Sequence, residues 1–102
     1  MILEIALLNV IPARRAEFER AFGEAKAIIA SMRGFRGLEL QRCLEVSTRG
    51  PNRYALLVRW ETLEDHTVGF RGSPEYQKWR ALLHHFYDPF PVVEHYEEVH
   101  RA

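Results

Sequence analysis

Residues 59–79, RWETLEDHTVGFRGSPEYQKW, decide how the chain divides. Arg59 and Trp60 close an alternating apolar run. Thr62, with Asp65 three residues on, has the spacing of a capping box, and Ser73-Pro74-Glu75 puts a cap, a proline and an acid in the order of a helix start. Gly69 and Gly72 lie between the two starts. The stretch therefore reads as a strand end, a short helix from about Leu63, a break near Phe70 to Gly72, and a longer helix from about Pro74 to Phe86. On that second helix Tyr76, Trp79, Leu83 and Phe86 form one stripe, with Leu82 beside it.

Upstream, Ile2 to Ile11 is apolar at both alternating sets of positions, the pattern of a central strand covered on two sides. Pro12 ends it. From Ala13 to about Met32, Phe18, Ala21, Phe22, Ala25, Ile28, Ile29 and Met32 recur at helical spacing, with charged residues opposite. Gly34 and Gly37 bracket Phe35. Leu38, Leu40, Leu44 and Val46 then alternate with Glu39, Gln41, Cys43 and Glu45, giving a strand with one wet face. Arg49-Gly50-Pro51-Asn52 supplies hairpin-turn residues, and Tyr54, Leu56, Val58 and Trp60 alternate along a third strand. Downstream, Asp88-Pro89-Phe90-Pro91 stops the second helix, and Val92 to Val99 reads as a last strand. Strand, helix, strand, strand, helix, strand is the ferredoxin-like α+β order with an antiparallel sheet, in one domain spanning residues 1–102.

Composition narrows the function classes. The 102 residues carry 14 Lys plus Arg and 14 Asp plus Glu, so the net charge of zero offers no basic field to nucleic acid or an anionic membrane. A chain this small often buries leftover apolar surface by pairing with a copy of itself. The single cysteine, Cys43, excludes an intrachain disulfide and suits a reducing compartment. The first apolar run has no basic region before it and has Glu4 inside it, which makes it a poor signal peptide and too short a membrane span. The expectation is a buried strand in a cytoplasmic protein.

Trp60-Glu61 at the strand end, the short helix with His66, the Ser73-Pro74 restart with Tyr76 and Trp79, Gly34-Phe35 before the second strand, and the closing Val93-Glu94-His95-Tyr96 together resemble the antibiotic biosynthesis monooxygenase family. The resemblance covers nearly the whole chain. It implies a dimeric αβ barrel, in which helices cover one face of each sheet and the other face packs against the mate. It also implies a choice of chemistries, because the superfamily holds cofactorless monooxygenases that oxidise polycyclic phenols to quinones, haem-degrading enzymes, and members without a known substrate. Fold alone does not choose among them.

The resemblance assigns pocket roles to Asn9, near the end of the first strand, and to Trp60. Each has a plainer reading beside it. Asn9 shares its parity with Leu3, Ile5 and Leu7 and can serve as a buried amide bonded to a turn, and a strand-end tryptophan is commonly core. His66, three residues after Leu63 and four before Phe70, is a candidate base as well as a candidate packed histidine. Arg59, Arg71 and Arg80 can each hold a phenolate oxygen, with Arg80 favoured. Tyr54, Phe70, Tyr76 and Trp79 are candidates for an aromatic lining, although the helix stripe first packs the helix on the sheet. The expected catalytic set is Asn9, Trp60 and His66, and the expected substrate contacts are Tyr54, Phe70, Tyr76 and Arg80.

In the haem-degrading branch a histidine of the second helix binds iron, and the matching position here is Arg80, with His84 and His85 one turn later. Adjacent histidines cannot face one metal on a helix, no His-x-x-x-His pair occurs, and a site built across strands from His95 and a helix histidine has no local signal. No bound metal or other cofactor is therefore expected. Cys43 sits on the wetter strand face, and neither a G-x-S-x-G elbow nor a glycine-rich phosphate loop is present. Three functions remain: a cofactor-independent monooxygenase acting on a phenolic aromatic, a haem-binding or haem-degrading protein, and a non-enzymatic dimer that binds a small ligand or responds to stress.

Overall fold

A computed structural model describes residues 1–44 and 52–102. Four strands, β1 (Ile2–Asn9), β2 (Phe35–Arg42), β3 (Arg53–Trp60) and β4 (Val93–Glu97), form one antiparallel sheet in the order β2-β3-β1-β4. Two helices, α1 (Arg15–Ala30) and α2 (Pro74–Leu83), pack against each other. The order of elements is the ferredoxin-like one expected from the alternating periods.

The register explains which side chains meet the helices. In β3 the buried positions are Tyr54, Leu56, Val58 and Trp60, with Arg53 and Arg59 on the other face. Because Trp60 pairs with Ile2 and Tyr54 with Leu8, the inward set of β1 is Glu4, Ala6 and Leu8. Asn9 pairs with Arg53 and shares the opposite face with Leu3, Ile5 and Leu7. Helix α1 meets the inward face through Phe18, Phe22, Ala25 and Ile29, and α2 through Trp79 and Leu83. Phe22 meets Trp79 edge-on, with ring centroids 5.7 Å apart, where the helices touch. Each of Phe18, Phe22, Ile29 and Leu83 contributes about 1.5–3 kcal/mol when taken fully out of water.

Element ends differ from the sequence reading where local chemistry is subtle. Pro12–Arg14 is a separate 3-10 turn, and α1 begins only at Arg15. Strand β2 starts earlier, at Phe35, and stops at Arg42, so Cys43 and Leu44 lie beyond it. The expected extension through Glu45 and Val46 and the hairpin turn at Arg49-Gly50-Pro51 fall outside the described residues. Helix α2 tightens to a 3-10 turn at His84–Phe86, and the last strand is the shorter Val93–Glu97.

The capping signals are realised in full. Thr62 N–H donates to Asp65 Oδ2 at 3.2 Å and Asp65 N–H donates to Thr62 Oγ1 at 3.1 Å, the reciprocal pair of a capping box. Tyr76 N–H donates to Ser73 Oγ at 3.1 Å, capping α2. Between them the chain forms a wide π-type turn at Asp65–Phe70, closed by Arg71 N–H donating to the His66 carbonyl at 3.1 Å, five residues back. Sequence periodicity alone points to a short helix with a break, and the π turn is what stands there.

Candidate functional site

The π turn lays His66 and Phe70 over the end of the sheet. The His66 ring stacks on Trp60 with centroids 5.4 Å apart and an interplanar angle of 18°, and Phe70 leans on the same indole at 5.8 Å. Both are buried. Trp60 is fully enclosed, and its indole N–H donates to Glu4 Oε1 at 2.9 Å. The same carboxyl oxygen lies 3.4 Å from His66 Nε2, and His66 Nδ1 lies 2.7 Å from His95 Nε2. A buried carboxyl thus ends a row of two imidazoles drawn from β1, the π turn and β4.

Burial dominates the electrostatics of this row. It pushes the Glu4 carboxyl above its usual range, against the opposing pull of the Trp60 N–H and the Arg71 charge. It holds His66 down to about 3, helped by the positive charge of Arg71 and by His95. His95 is lowered for the same two main reasons, burial and Arg71. His66 is therefore a neutral imidazole at ordinary pH, and its contact with Glu4 is a carboxyl–imidazole contact rather than an ion pair. Among the described residues no buried side-chain nitrogen or oxygen lacks a partner.

Glu4 and His66 open on a cavity of about 390 Å³ between the sheet and the second half of the chain. Its aromatic walls come from Phe70, Tyr76, Trp79, Tyr87 and Phe90, and among the described residues its one arginine is Arg71. His84 also reaches it, meeting the Tyr76 ring edge-on at 5.9 Å and the Phe90 ring at 5.0 Å. Burial, then the nearby Arg80 charge, lowers the His84 pKa. The wall can hold a flat, largely apolar ring system, with one cation and one carboxyl at its polar end.

Of the residues singled out from sequence, His66, Phe70 and Tyr76 line this cavity, and Trp60 stands directly behind His66 as its stacking support. Asn9 is not brought together with them: its parity on β1 directs it to the opposite face, where its backbone carbonyl accepts from Asp88 N–H at 2.8 Å. Tyr54 lies at the far end of β3, packs on Phe18 at 5.0 Å, and donates its hydroxyl to Glu19 Oε2 at 2.5 Å. Arg80 is exposed and lines no part of the cavity, and Arg71 occupies the place expected for it.

The residue that sequence reasoning missed is Glu4. Its signal was present, as the single acid in an apolar run with the parity of Ala6 and Leu8. Glu4, His66 and His95 do not converge on one point, because His66 offers a different nitrogen to each neighbour. Among the described residues no group of three or more His, Cys, Asp or Glu is placed to hold a metal ion.

The model of the family described as antibiotic biosynthesis monooxygenase matches residues 1–82. The chain belongs to that family. Within the antibiotic biosynthesis monooxygenases, it is similar in fold to a crystal structure from Bordetella bronchiseptica, with 39% identity, a TM-score of 0.86 and coverage of 96% of each chain. It is 52% identical over 99 residues to the uncharacterized protein YczJ of Bacillus subtilis (strain 168), covering 97% of this chain and 100% of that one. A more distant likeness, with 21% identity and a TM-score of 0.71 over 99% of this chain and 93% of the other, is to a single-site mutant of SnoaB. That protein is a cofactor-independent oxygenase from Streptomyces nogalater, and at this identity the likeness is one of fold. No helix among the described residues is long and apolar enough to cross a membrane.

Proposed function

We propose that the cavity between the sheet and the Asp65–Phe90 region is the site of a cofactor-independent monooxygenase that oxidises a phenolic aromatic with molecular oxygen. The observation that carries this reading is the joining, in one aromatic cavity, of a guanidinium, Arg71, with a carboxyl, Glu4, that touches a neutral imidazole, His66. Flat rings fit between Phe70, Tyr76, Trp79 and Phe90. A guanidinium is a permanent cation and favours a phenolate over a phenol. Membership of the antibiotic biosynthesis monooxygenase family supports the oxygenase chemistry.

In this reading the protein positions, desolvates and moves protons, and the substrate supplies the electrons. Loss of the phenolic proton makes a ring carbon carbanion-like. That carbon bonds to oxygen, the peroxide is protonated, and loss of water leaves a quinone. Phenol and O2 become quinone and water, with the ring oxidised and both oxygen atoms reduced.

The open face of the sheet belongs to the same proposal. Leu7 is 46% exposed and Tyr96 48% exposed, with Leu3, Ile5 and Leu57 half-buried near them. This surface suits a second copy of the chain, giving a homodimer that leaves the helix-covered cavity free. One cysteine and the lack of a basic field fit a cytoplasmic protein that engages neither nucleic acid nor membrane.

Oxygen uptake with a panel of hydroxylated polycyclic aromatics tests the reading. Wild-type protein should consume oxygen in step with quinone formation. His66→Ala and Arg71→Ala should each slow it by about 10²-fold or more, the range of a lost proton-transfer or charge-stabilising group. Asn9→Ala, on the opposite face, should change it little. No uptake by wild type with any such substrate, or equal uptake by all four proteins, removes the proposal.

A further inference from the structure

We propose that Glu4, His66 and His95 form a proton wire, in which Glu4 exchanges the proton with the cavity and His95, on the edge strand, holds it. The inference rests on the reading of the cavity as a reaction site. Its physical basis is the row itself: Glu4 Oε1 lies 3.4 Å from His66 Nε2, and His66 Nδ1 lies 2.7 Å from His95 Nε2. Glu4 and His66 line the cavity, whereas His95 does not. His95 sits opposite Glu4 across the β1–β4 pair, on a strand with one neighbour in the sheet.

The proton count closes. At the start Glu4 is ionised, His66 carries its proton on Nδ1, and neutral His95 carries its own on Nδ1. Glu4 accepts the phenolic proton. That proton passes to His66 Nε2 as the His66 Nδ1 proton passes to His95 Nε2. His66 is neutral before and after, the phenolate remains in the cavity, and the positive charge rests on His95. Once oxygen has added to the ring, the reverse shift returns the proton through Glu4 to the peroxide, and every residue is back in its starting form. The 3.4 Å step needs a small approach of carboxyl and ring, whereas the 2.7 Å step is already at hydrogen-bond length.

The surroundings favour this route over a charged His66. Facing the row are Arg71 from the end of the π turn, Trp60 from β3 as a neutral donor to Glu4, and the three members themselves. Arg71 opposes a second positive charge beside it. A route that never makes His66 cationic keeps the charge off the more deeply buried ring and places it on His95, which Arg71 also opposes but which is only half-buried. A purely structural row predicts something different, a fixed tautomer of His66 and independent titrations at its two ends.

Nuclear magnetic resonance of the full-length protein, labelled with 15N at histidine and 13C at glutamate, separates the two across a pH series. The wire predicts one shared titration step. The Glu4 carboxyl carbon and the His95 ring nitrogens should report the same midpoint, and the His66 nitrogens should exchange Nδ1–H for Nε2–H character in that step without ever showing an imidazolium. In Glu4→Gln the His95 midpoint should fall by at least about 0.3 pH unit, the factor of two for a proton that has one end instead of two, with the loss of the nearby carboxylate charge adding to it. Separate midpoints for Glu4 and His95, or a His66 tautomer that is constant through the step, overturn the proposal even if the variant fails to fold. Neither substrate nor oxygen enters the measurement. A shared step in a protein without oxygen uptake therefore keeps the wire and sinks the monooxygenase reading, and uptake with independent midpoints does the reverse.

Discussion

Glu4 and Trp60 are diagonal neighbours on the inward face of the sheet, joined by an indole N–H that donates to the carboxyl at 2.9 Å. The bond joins the first strand to the end of the third and keeps a buried carboxyl satisfied beneath the cavity. It also fixes the plane on which His66 stacks, so one tryptophan sets the position of both groups.

Trp60→Phe keeps an aromatic ring under His66 but removes the donor. Leaving a buried carboxyl short of a partner costs about 1–3 kcal/mol. Urea denaturation should show the midpoint falling by that equivalent with little change in slope. The Glu4 carboxyl should also titrate higher than in wild type, because the N–H that favours its ionised form is gone. An unchanged Glu4 titration would show that the bond does not govern its charge.

Acid should destabilise the protein from about pH 6.5 downward. His66 titrates near the ordinary histidine value of 6.5 when unfolded but is held down to about 3 in the fold, so across that window the unfolded chain binds the extra proton. Stability is then present above 6.5 and lost as the pH falls toward 3. His95 and His84, also lowered, act with the same sign. Glu4 acts with the opposite one, since its raised pKa makes the folded state bind the proton first. Calorimetric melting temperatures should fall between about pH 7 and about pH 5, and fall less in His66→Gln. Equal losses in both proteins would mean that His66 does not carry the effect.

Gly34→Ala should destabilise the entry to β2. Gly34 has φ of 82°, where a side chain is strained, and a Cβ there would run into the Asp65 carboxylate that completes the capping box with Thr62. The expected loss is about 1–3 kcal/mol in equilibrium unfolding. Protection of the Asp65–Phe70 amides from hydrogen exchange should fall as well. A variant as stable as wild type would show that the close approach of Gly34 to Asp65 is dispensable.

The strands, the two helices and the caps were legible because hydrophobic period and capping chemistry are local. So was the inward parity of β3, where Tyr54, Leu56, Val58 and Trp60 alternate with arginines at the strand's two ends. Strand β1 offered no such contrast. Both of its parities are apolar, so neither side of the strand could be named as the helix-facing one, and Asn9 drew attention while Glu4 did not. The β1–β3 register decides the matter, and it is a non-local fact. Arg71 displaced Arg80 at the cavity for a related reason. The wide π turn changes the angular phase of residues 65–71, and helical counting from Trp60 cannot anticipate it. His95 approaches His66 through the pairing of the last strand with the first, which spacing within either segment does not reveal.

Glu4 and His95 come from opposite ends of the chain, and His66 from between them. No contiguous fragment can hold this polar row, so it is complete only when the final strand has docked beside the first. Until then the Glu4 carboxyl lies beneath a sheet edge that still waits for its neighbour. Docking of β4 beside β1 therefore does two things at once: it covers that edge, and it delivers the second imidazole to the row begun by Glu4 and His66.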